Sequence, residues 1–153
     1  MFYLAGLAIF LFTSVSTVLF LGGDISTFFY GYTYLIMLIL LAGVLTATQS
    51  FKVFYAGMKA VILPHKPMSE DMRGKAASLF RFLSKTTALI AGIMVLISLI
   101  NMLFGLDFED PQAISKIGVN AAYALVFLFQ GLTLIAAVFE PVVFILKKRQ
   151  GHK

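Results

Sequence analysis

Long apolar runs separated by short polar segments dominate this chain. Each run is about 20 residues or longer, which is enough to cross the hydrocarbon core of a bilayer as an α-helix. The runs cover residues 3–22, 28–50, 86–106 and 117–146, and a polar segment at 51–85 divides them into two pairs. The pattern predicts an all-α, polytopic membrane protein with four transmembrane helices in a single domain over residues 1–153.

The first apolar run has two interpretations. A cleaved secretory signal has basic residues ahead of a shorter apolar core. Here no charged residue precedes the run, which stays apolar until Gly22, Gly23 and Asp24 close it. A retained first helix is therefore expected, with a cleaved signal as the alternative.

Composition agrees with a bilayer as the solvent. Hydrophobic residues make up 60% of the chain and charged residues 12%, with a mean hydropathy of +0.95, whereas soluble domains are about 25% charged. Cysteine is absent, which excludes disulfides and thiolate sites. The net charge of +5 does not indicate nucleic acid, because the basic residues flank apolar runs and form no groove with interleaved aromatic residues.

The basic residues predict the orientation of the chain. Eleven of the twelve lie either between the second and third runs or after the fourth, namely Lys52, Lys59, Lys66, Arg73, Lys75, Arg81, Lys85, Lys147, Lys148, Arg149 and Lys153. The other side holds Lys116 among four acidic residues. By the positive-inside rule, the 51–85 loop and both termini are cytoplasmic.

The cytoplasmic loop carries a helix signal of its own. Ser69 is a good N-cap residue, and Glu70 and Asp71 follow in the first turn, where the helix dipole favours acids. Apolar residues then recur at helical spacing, at Met72, Ala76, Leu79, Phe80 and Leu83. No breaker separates this stretch from the third run. One helix from about 69 to 106 is predicted, roughly 55 Å long, and helices 2 and 3 are expected to extend into the cytoplasm.

Catalytic chemistry is not indicated. The sequence has no nucleophile motif, phosphate-binding loop or metal-ligand spacing, and its two histidines, His65 and His152, stand in a proline-flanked loop and in the tail. Both are expected to be solvated. The sequence therefore predicts a protein that is not an enzyme and has no cofactor.

Polar residues inside the fourth run are the candidates for function. Glu140 either takes part in ion or proton passage, or snorkels to the interface and pairs with a lysine such as Lys147. Pro141 should kink or loosen the helix and free a carbonyl for a partner or water. Gln130, like Asn101 and Asn120, is expected either to hydrogen-bond between helices or to line a pore.

Runs three and four together resemble a known family. The resembling stretch is INMLFGLDFEDPQAISKIGVNAAYALVFLFQGLTLIAAVFEPVVFILKK. It contains an Asp-Pro turn at Asp110 and Pro111, an Ala-Leu pair at Ala124 and Leu125, a mid-helix glycine at Gly131, and Pro141 ten residues later. These features and the four-span topology resemble the MotA/TolQ/ExbB family, the channel components of ion-driven motors, and most of all its flagellar stator branch.

The resemblance implies an assembly in the bacterial inner membrane. Five copies of this chain would surround two copies of a single-span partner similar to MotB, ExbD or TolR. The partner's membrane aspartate would bind the transported proton or sodium ion. Within this chain, Gly131, Pro141, Asp110 and Pro111 would serve helix packing or hinge roles.

The sequence departs from the family pattern in three places. The 51–85 loop is much shorter than the rotor-binding domain of the stator branch. The threonine that usually precedes the mid-helix glycine is missing, and Gln130 stands there instead. The Gly-Thr pair of helix three is also not evident, and Thr86 and Thr87 lie nearest to its place. The candidate ion pathway is therefore Gln130, Glu140, Thr86 and Thr87.

Two other functions remain open from the sequence. A non-conducting tetraspan scaffold or assembly factor would be a monomer or dimer without a single-span partner. An accessory subunit of a small transporter would depend most on Glu140 and would form no pentamer. Association with membrane lipids is common to all three hypotheses.

Overall fold

The computed structural model describes residues 2–20, 31–63, 68–104 and 112–148. These residues are almost entirely helical and contain no β-strand. In chain order the elements are α1 (Phe2–Phe20), α2 (Gly31–Ala47), α3 (Phe51–Ile62), α4 (Glu70–Phe104), α5 (Ala113–Leu134), a π-helical turn (Ile135–Phe139) and α6 (Glu140–Lys148). The all-α fold class is confirmed.

Three helical segments are long and apolar enough to cross a membrane. They are α1 from Tyr3 onward, α4, and the continuous segment of 36 residues from Ala113 to Lys148. We call that last segment, made of α5, the π turn and α6, the last span. A fourth candidate arises if α2 and α3 are counted together as one broken span. The described residues thus contain three to four candidate membrane spans.

Helix α4 follows the prediction closely. It runs without interruption for 35 residues, or roughly 50 Å, and the Ser69 hydroxyl accepts a hydrogen bond from the Met72 backbone N–H at 3.4 Å. Asp71 in the first turn is bridged by Lys75 at 2.6 Å. Residue 86, where the third apolar run begins, does not mark the start of a helix, because the same helix already runs through it.

Helix α2 ends three residues before the predicted end of the second run. It ends at Ala47 instead of residue 50, where the Ser50 N–H donates to the Leu45 carbonyl and the Gln49 N–H donates to the Thr46 carbonyl. Gln49 has a φ of 50°, so this is a Schellman-type helix end with a glutamine at the left-handed position. The chain then continues as α3, a separate helix bent by 117° from α2.

The buried core lies where α3 folds back against α4 and α6. Its largest fully buried hydrophobic side chains are Phe80, Met37, Leu83, Leu146 and Val142. The Phe54 ring of α3 stacks on Phe80 with centroids 5.2 Å apart. The apolar windows of α1 and α4 bury few of their residues, 6% and 11%, which is expected of surfaces that face lipid or another membrane helix.

Gly57 is essential for this packing. A Cβ atom at Gly57 would lie 2.6 Å from Cε2 of Phe80 and 3.2 Å from Cβ of Ala76. The Phe80 ring has no space to move away, because it is fully buried between Phe54 and Phe139. We expect Gly57→Ala to lower the stability of the detergent-solubilised protein by about 1–3 kcal/mol, measured by thermal unfolding.

Gly118 provides the matched control for Gly57. Nothing lies within 4 Å of a Cβ atom placed there, so Gly118→Ala should be neutral or stabilise by up to about 1 kcal/mol through helix propensity. Equal unfolding temperatures for the two variants would show that α3 does not pack on α4 through Gly57.

Candidate functional site

A close approach between two helices lies where α4 meets α5. The two helices run antiparallel, and their contact is the most extensive in the described residues. A Cβ atom at Gly131 would lie 2.7 Å from Cβ of Ala91 and 3.7 Å from the Thr87 carbonyl oxygen. Cε of Met37, on α2, would be 3.6 Å away. Only a glycine at 131 permits this separation of the helices.

A hydrogen bond between side chains joins α4 to α6 farther along the same contact. The Ser84 hydroxyl donates to Oε1 of Glu140 at 2.8 Å. Ser84 is buried, whereas Glu140 is exposed on the single chain. No lysine or arginine of the described residues lies within salt-bridge distance of Glu140. The pairing with Lys147 that the sequence allowed is therefore replaced by a serine contact.

Thr87 lies one helical turn after Ser84 and is 0% exposed. Its Oγ1 atom has no hydrogen-bond partner within the described part of the chain. Helical hydroxyls usually bond back to the carbonyl four residues earlier. In this protein Ser14, Thr17, Thr46 and Thr48 all do so. The Thr87 hydroxyl is therefore a buried polar group with unused hydrogen-bonding capacity.

We call Ser84, Thr87 and Glu140 the polar seam between α4 and the last span. Gln130 precedes Gly131 and is also fully buried, so it is adjacent in sequence to the close contact between α4 and α5. Three of the four predicted ion-pathway residues thus lie in the seam or beside that contact. Thr86 is partly exposed, since consecutive helical residues point about 100° apart. Asp110 and Pro111 lie outside the described residues.

Ser84 was not singled out as a candidate residue from the sequence. Serine is unremarkable next to Lys85 and Thr86, and nothing local shows that Glu140 will face it. The available signal was its spacing of three residues from Thr87, which places the two hydroxyls on one face of a helix.

Pro141 alters the backbone just before Glu140 in the way expected from its chemistry. Proline has no N–H to donate to the carbonyl four residues earlier, that of Ala137. The Tyr3 hydroxyl donates to this Ala137 carbonyl at 3.3 Å. The π turn Ile135–Phe139 widens the helix over the same residues, a local feature common at functional sites. The hydrogen bond from Tyr3 to the freed Ala137 carbonyl therefore links α1 to the last span.

The hydrogen bond between Tyr3 and Ala137 predicts that the effects of substituting Tyr3 and Pro141 depend on each other. Tyr3→Phe should cost about 1 kcal/mol of stability, the usual net value of one hydrogen bond. In a Pro141→Ala background the carbonyl regains an N–H donor from its own helix, so the same Tyr3 substitution should cost less. A double-mutant cycle of unfolding temperatures measures the difference. Tyr32→Phe, on an exposed ring, is the control, and equal Tyr3 effects in both backgrounds would contradict the assignment.

The other predicted amides lie elsewhere. Asn101 and Asn120 line a separate pocket of about 390 Å³ together with Thr33, Ser98 and Tyr123. The Asn120 side chain donates to the Lys116 carbonyl of its own helix at 3.0 Å. For Asn120, the hydrogen bond that was expected to join two helices is instead formed within its own helix.

The polar seam presents oxygen atoms of two kinds, hydroxyl and carboxylate, along one helix contact. Such a set of groups can pass a proton or hold a sodium ion transiently within a membrane. Among the described residues no three or more histidine or acidic side chains cluster together. Comparison with known proteins assigns no family, because no family model, curated protein or solved structure matches the chain.

Proposed function

We propose that this chain is a ring-forming channel subunit of an ion-driven motor complex. Five copies would surround a single-span partner of the MotB, ExbD or TolR kind, and proton or sodium flow would be coupled to mechanical work. The observation that carries the proposal is the polar seam, in which the Ser84–Glu140 hydrogen bond and the buried Thr87 hydroxyl lie between α4 and the last span.

The exposure of Glu140 supports an oligomer. Its carboxylate interrupts an apolar run and is exposed on the single chain, although Ser84 binds one of its oxygens. Ser84 lies between Arg81 and Lys85, so the carboxylate stands near the end of the apolar surface, where facing lipid costs less than the roughly 3 kcal/mol of the membrane middle. A neighbouring subunit, or the partner's helix with water beside it, would relieve that cost.

The distribution of buried residues supports a ring with an inner and an outer layer. Within the most apolar window of each segment, 39% of the residues of the last span are buried, against 11% for α4 and 6% for α1. Helix α4 therefore leaves most of its apolar surface uncovered even though it packs on the last span. In the proposed ring, α4 and the last span form the inner layer and α1 faces lipid.

The length of α4 supports the proposed orientation. At roughly 50 Å it exceeds the hydrocarbon core, about 30 Å thick, by some 20 Å. Arg73, Arg81 and Lys85 lie in its first half, and the remainder is uncharged up to Phe104. The first half then projects into the cytoplasm, as expected of helix 3 in this class of assembly.

The proposal is tested by ion flux. The protein is reconstituted in liposomes with a single-span membrane protein that carries an intramembrane aspartate and is encoded beside it, and proton or sodium entry is recorded. The double variant Gln130→Ala/Glu140→Ala should lose partner-dependent flux. The control Gln112→Ala/Glu70→Ala removes the same residue types at exposed positions away from the seam and should retain the flux.

The outcomes separate the three functions. Flux that persists in the Gln130→Ala/Glu140→Ala variant would refute the proposed ion pathway. No partner-dependent flux in any variant, together with a monomer or dimer, would favour the non-conducting scaffold. Flux that depends on Glu140 but needs no partner would favour the transporter subunit.

A further inference from the structure

A pocket lined by basic residues opens on the side of α4 next to the end of α6. Its volume is about 370 Å³. The small residues Gly74, Ala77 and Ser78 form one wall of the hollow. The cations Arg81 and Lys85 of α4 and Lys147 of α6 also line it. We call this the basic pocket.

The charge in the basic pocket is uncompensated. No acidic side chain is among the described residues that line it. Arg81 and Lys85 stand four residues apart on one helix, a spacing at which like charges repel and destabilise the helix. Lys147 adds a third positive charge from a second helix. An anion placed among the three would relieve their repulsion.

The depth of the basic pocket indicates where this anion comes from. Arg81 and Lys85 directly precede the uncharged part of α4, and Lys147 directly follows the apolar part of α6. The pocket therefore lies at the end of the apolar surface, the level at which lipid headgroups are found. Phe82 also lines it and provides apolar surface for the glycerol and upper acyl chain of a lipid.

We propose that the basic pocket binds the phosphate headgroup of an anionic phospholipid. The Arg81 guanidinium has the planar geometry that donates two hydrogen bonds to one phosphate. Lys85 and Lys147 supply point charges, and the Ser78 hydroxyl is a further donor. Basic pockets between membrane helices on the cytoplasmic side are known to bind the phosphate headgroups of anionic lipids such as cardiolipin. The site belongs to a single chain and does not depend on ion conduction.

The test is native mass spectrometry of the full chain in detergent, titrated with phosphatidylglycerol or phosphatidylcholine. The wild type should bind phosphatidylglycerol in preference to phosphatidylcholine. The variant Arg81→Gln/Lys85→Gln/Lys147→Gln should lose about 100-fold in affinity, at about fivefold for each cation. The control Lys52→Gln/Lys59→Gln/Lys148→Gln removes the same charge from residues that do not line the pocket and should bind like the wild type.

A second variant tests the pocket without changing its charge. Ser78 is exposed, so Ser78→Trp should fill the hollow while the helix stays folded, and it should also lose lipid binding. Inorganic phosphate added in excess should not displace the lipid.

Several results would overturn the proposal. These are equal binding of the two lipids, equal loss in the pocket and control variants, or retention of phosphatidylglycerol by Ser78→Trp. Displacement of the lipid by inorganic phosphate would show that the pocket recognises a soluble anion instead.

Discussion

Replacing Gly131 with alanine is expected to destabilise the protein by about 1–3 kcal/mol. The new Cβ atom would lie 2.7 Å from Cβ of Ala91, a separation that carbon atoms cannot keep. The Cβ atom of Ala91 is bonded directly to the helix backbone and cannot rotate away, so the two helices themselves must move apart. Thermal unfolding in detergent should show the loss, and Gly131→Leu should show a larger one.

The close contact also predicts a rescue. Ala91→Gly removes the opposing Cβ atom, so Gly131→Ala/Ala91→Gly should recover part of the stability that Gly131→Ala loses. Gly92 is the control, because nothing lies within 4 Å of a Cβ atom placed there, and Gly92→Ala should not destabilise. The losses of stability caused by Gly131→Ala and by Ala91→Gly are measured separately and added. If the double variant lost as much stability as this sum, the close contact between Gly131 and Ala91 would be wrong.

Thr87→Val is expected to change stability and function in opposite directions. The Thr87 hydroxyl is buried without a hydrogen-bond partner in the described residues, and burying such a group costs about 1–3 kcal/mol. The valine methyl group has nearly the same shape and carries no such cost. The variant should therefore unfold at a higher temperature than the wild type.

The same change should reduce ion flux about tenfold or more, because a hydroxyl that contacts a charged species contributes about 1.5 kcal/mol or more. Thr87→Ser keeps the hydroxyl and should conduct. Thr46→Val, at an exposed hydroxyl already bonded to the Ala42 carbonyl, should leave flux unchanged. A Thr87→Val protein that is more stable and conducts normally would show that this hydroxyl has no role in ion passage.

Features that depend on local chemistry could be predicted from the sequence. Ser69 begins α4 because a serine followed by two acids satisfies the first N–H groups of a helix wherever it occurs. Pro141 frees the Ala137 carbonyl because proline lacks an N–H in any context. The apolar runs indicated membrane helices because a bilayer requires their length.

Features that depend on tertiary contacts could not be predicted in the same way. The end of α2 at Ala47 relies on Gln49 in the left-handed region, where glycine is the usual residue, so the sequence carries no turn signal. The Ser84–Glu140 bond joins residues 56 positions apart. The partner of the Ala137 carbonyl, Tyr3, is 134 positions away. Both pairings join residues in different parts of the chain, so the spacing of residues within one apolar run cannot predict them.

The number of chains in the assembly tests the central proposal most directly. Native mass spectrometry of the detergent-solubilised protein should give a complex of five chains of 16.8 kDa each, with additional mass when the single-span partner is co-expressed. Particle images of the same sample should show fivefold symmetry. A stable monomer, with or without the co-expressed partner, would contradict the proposed ring.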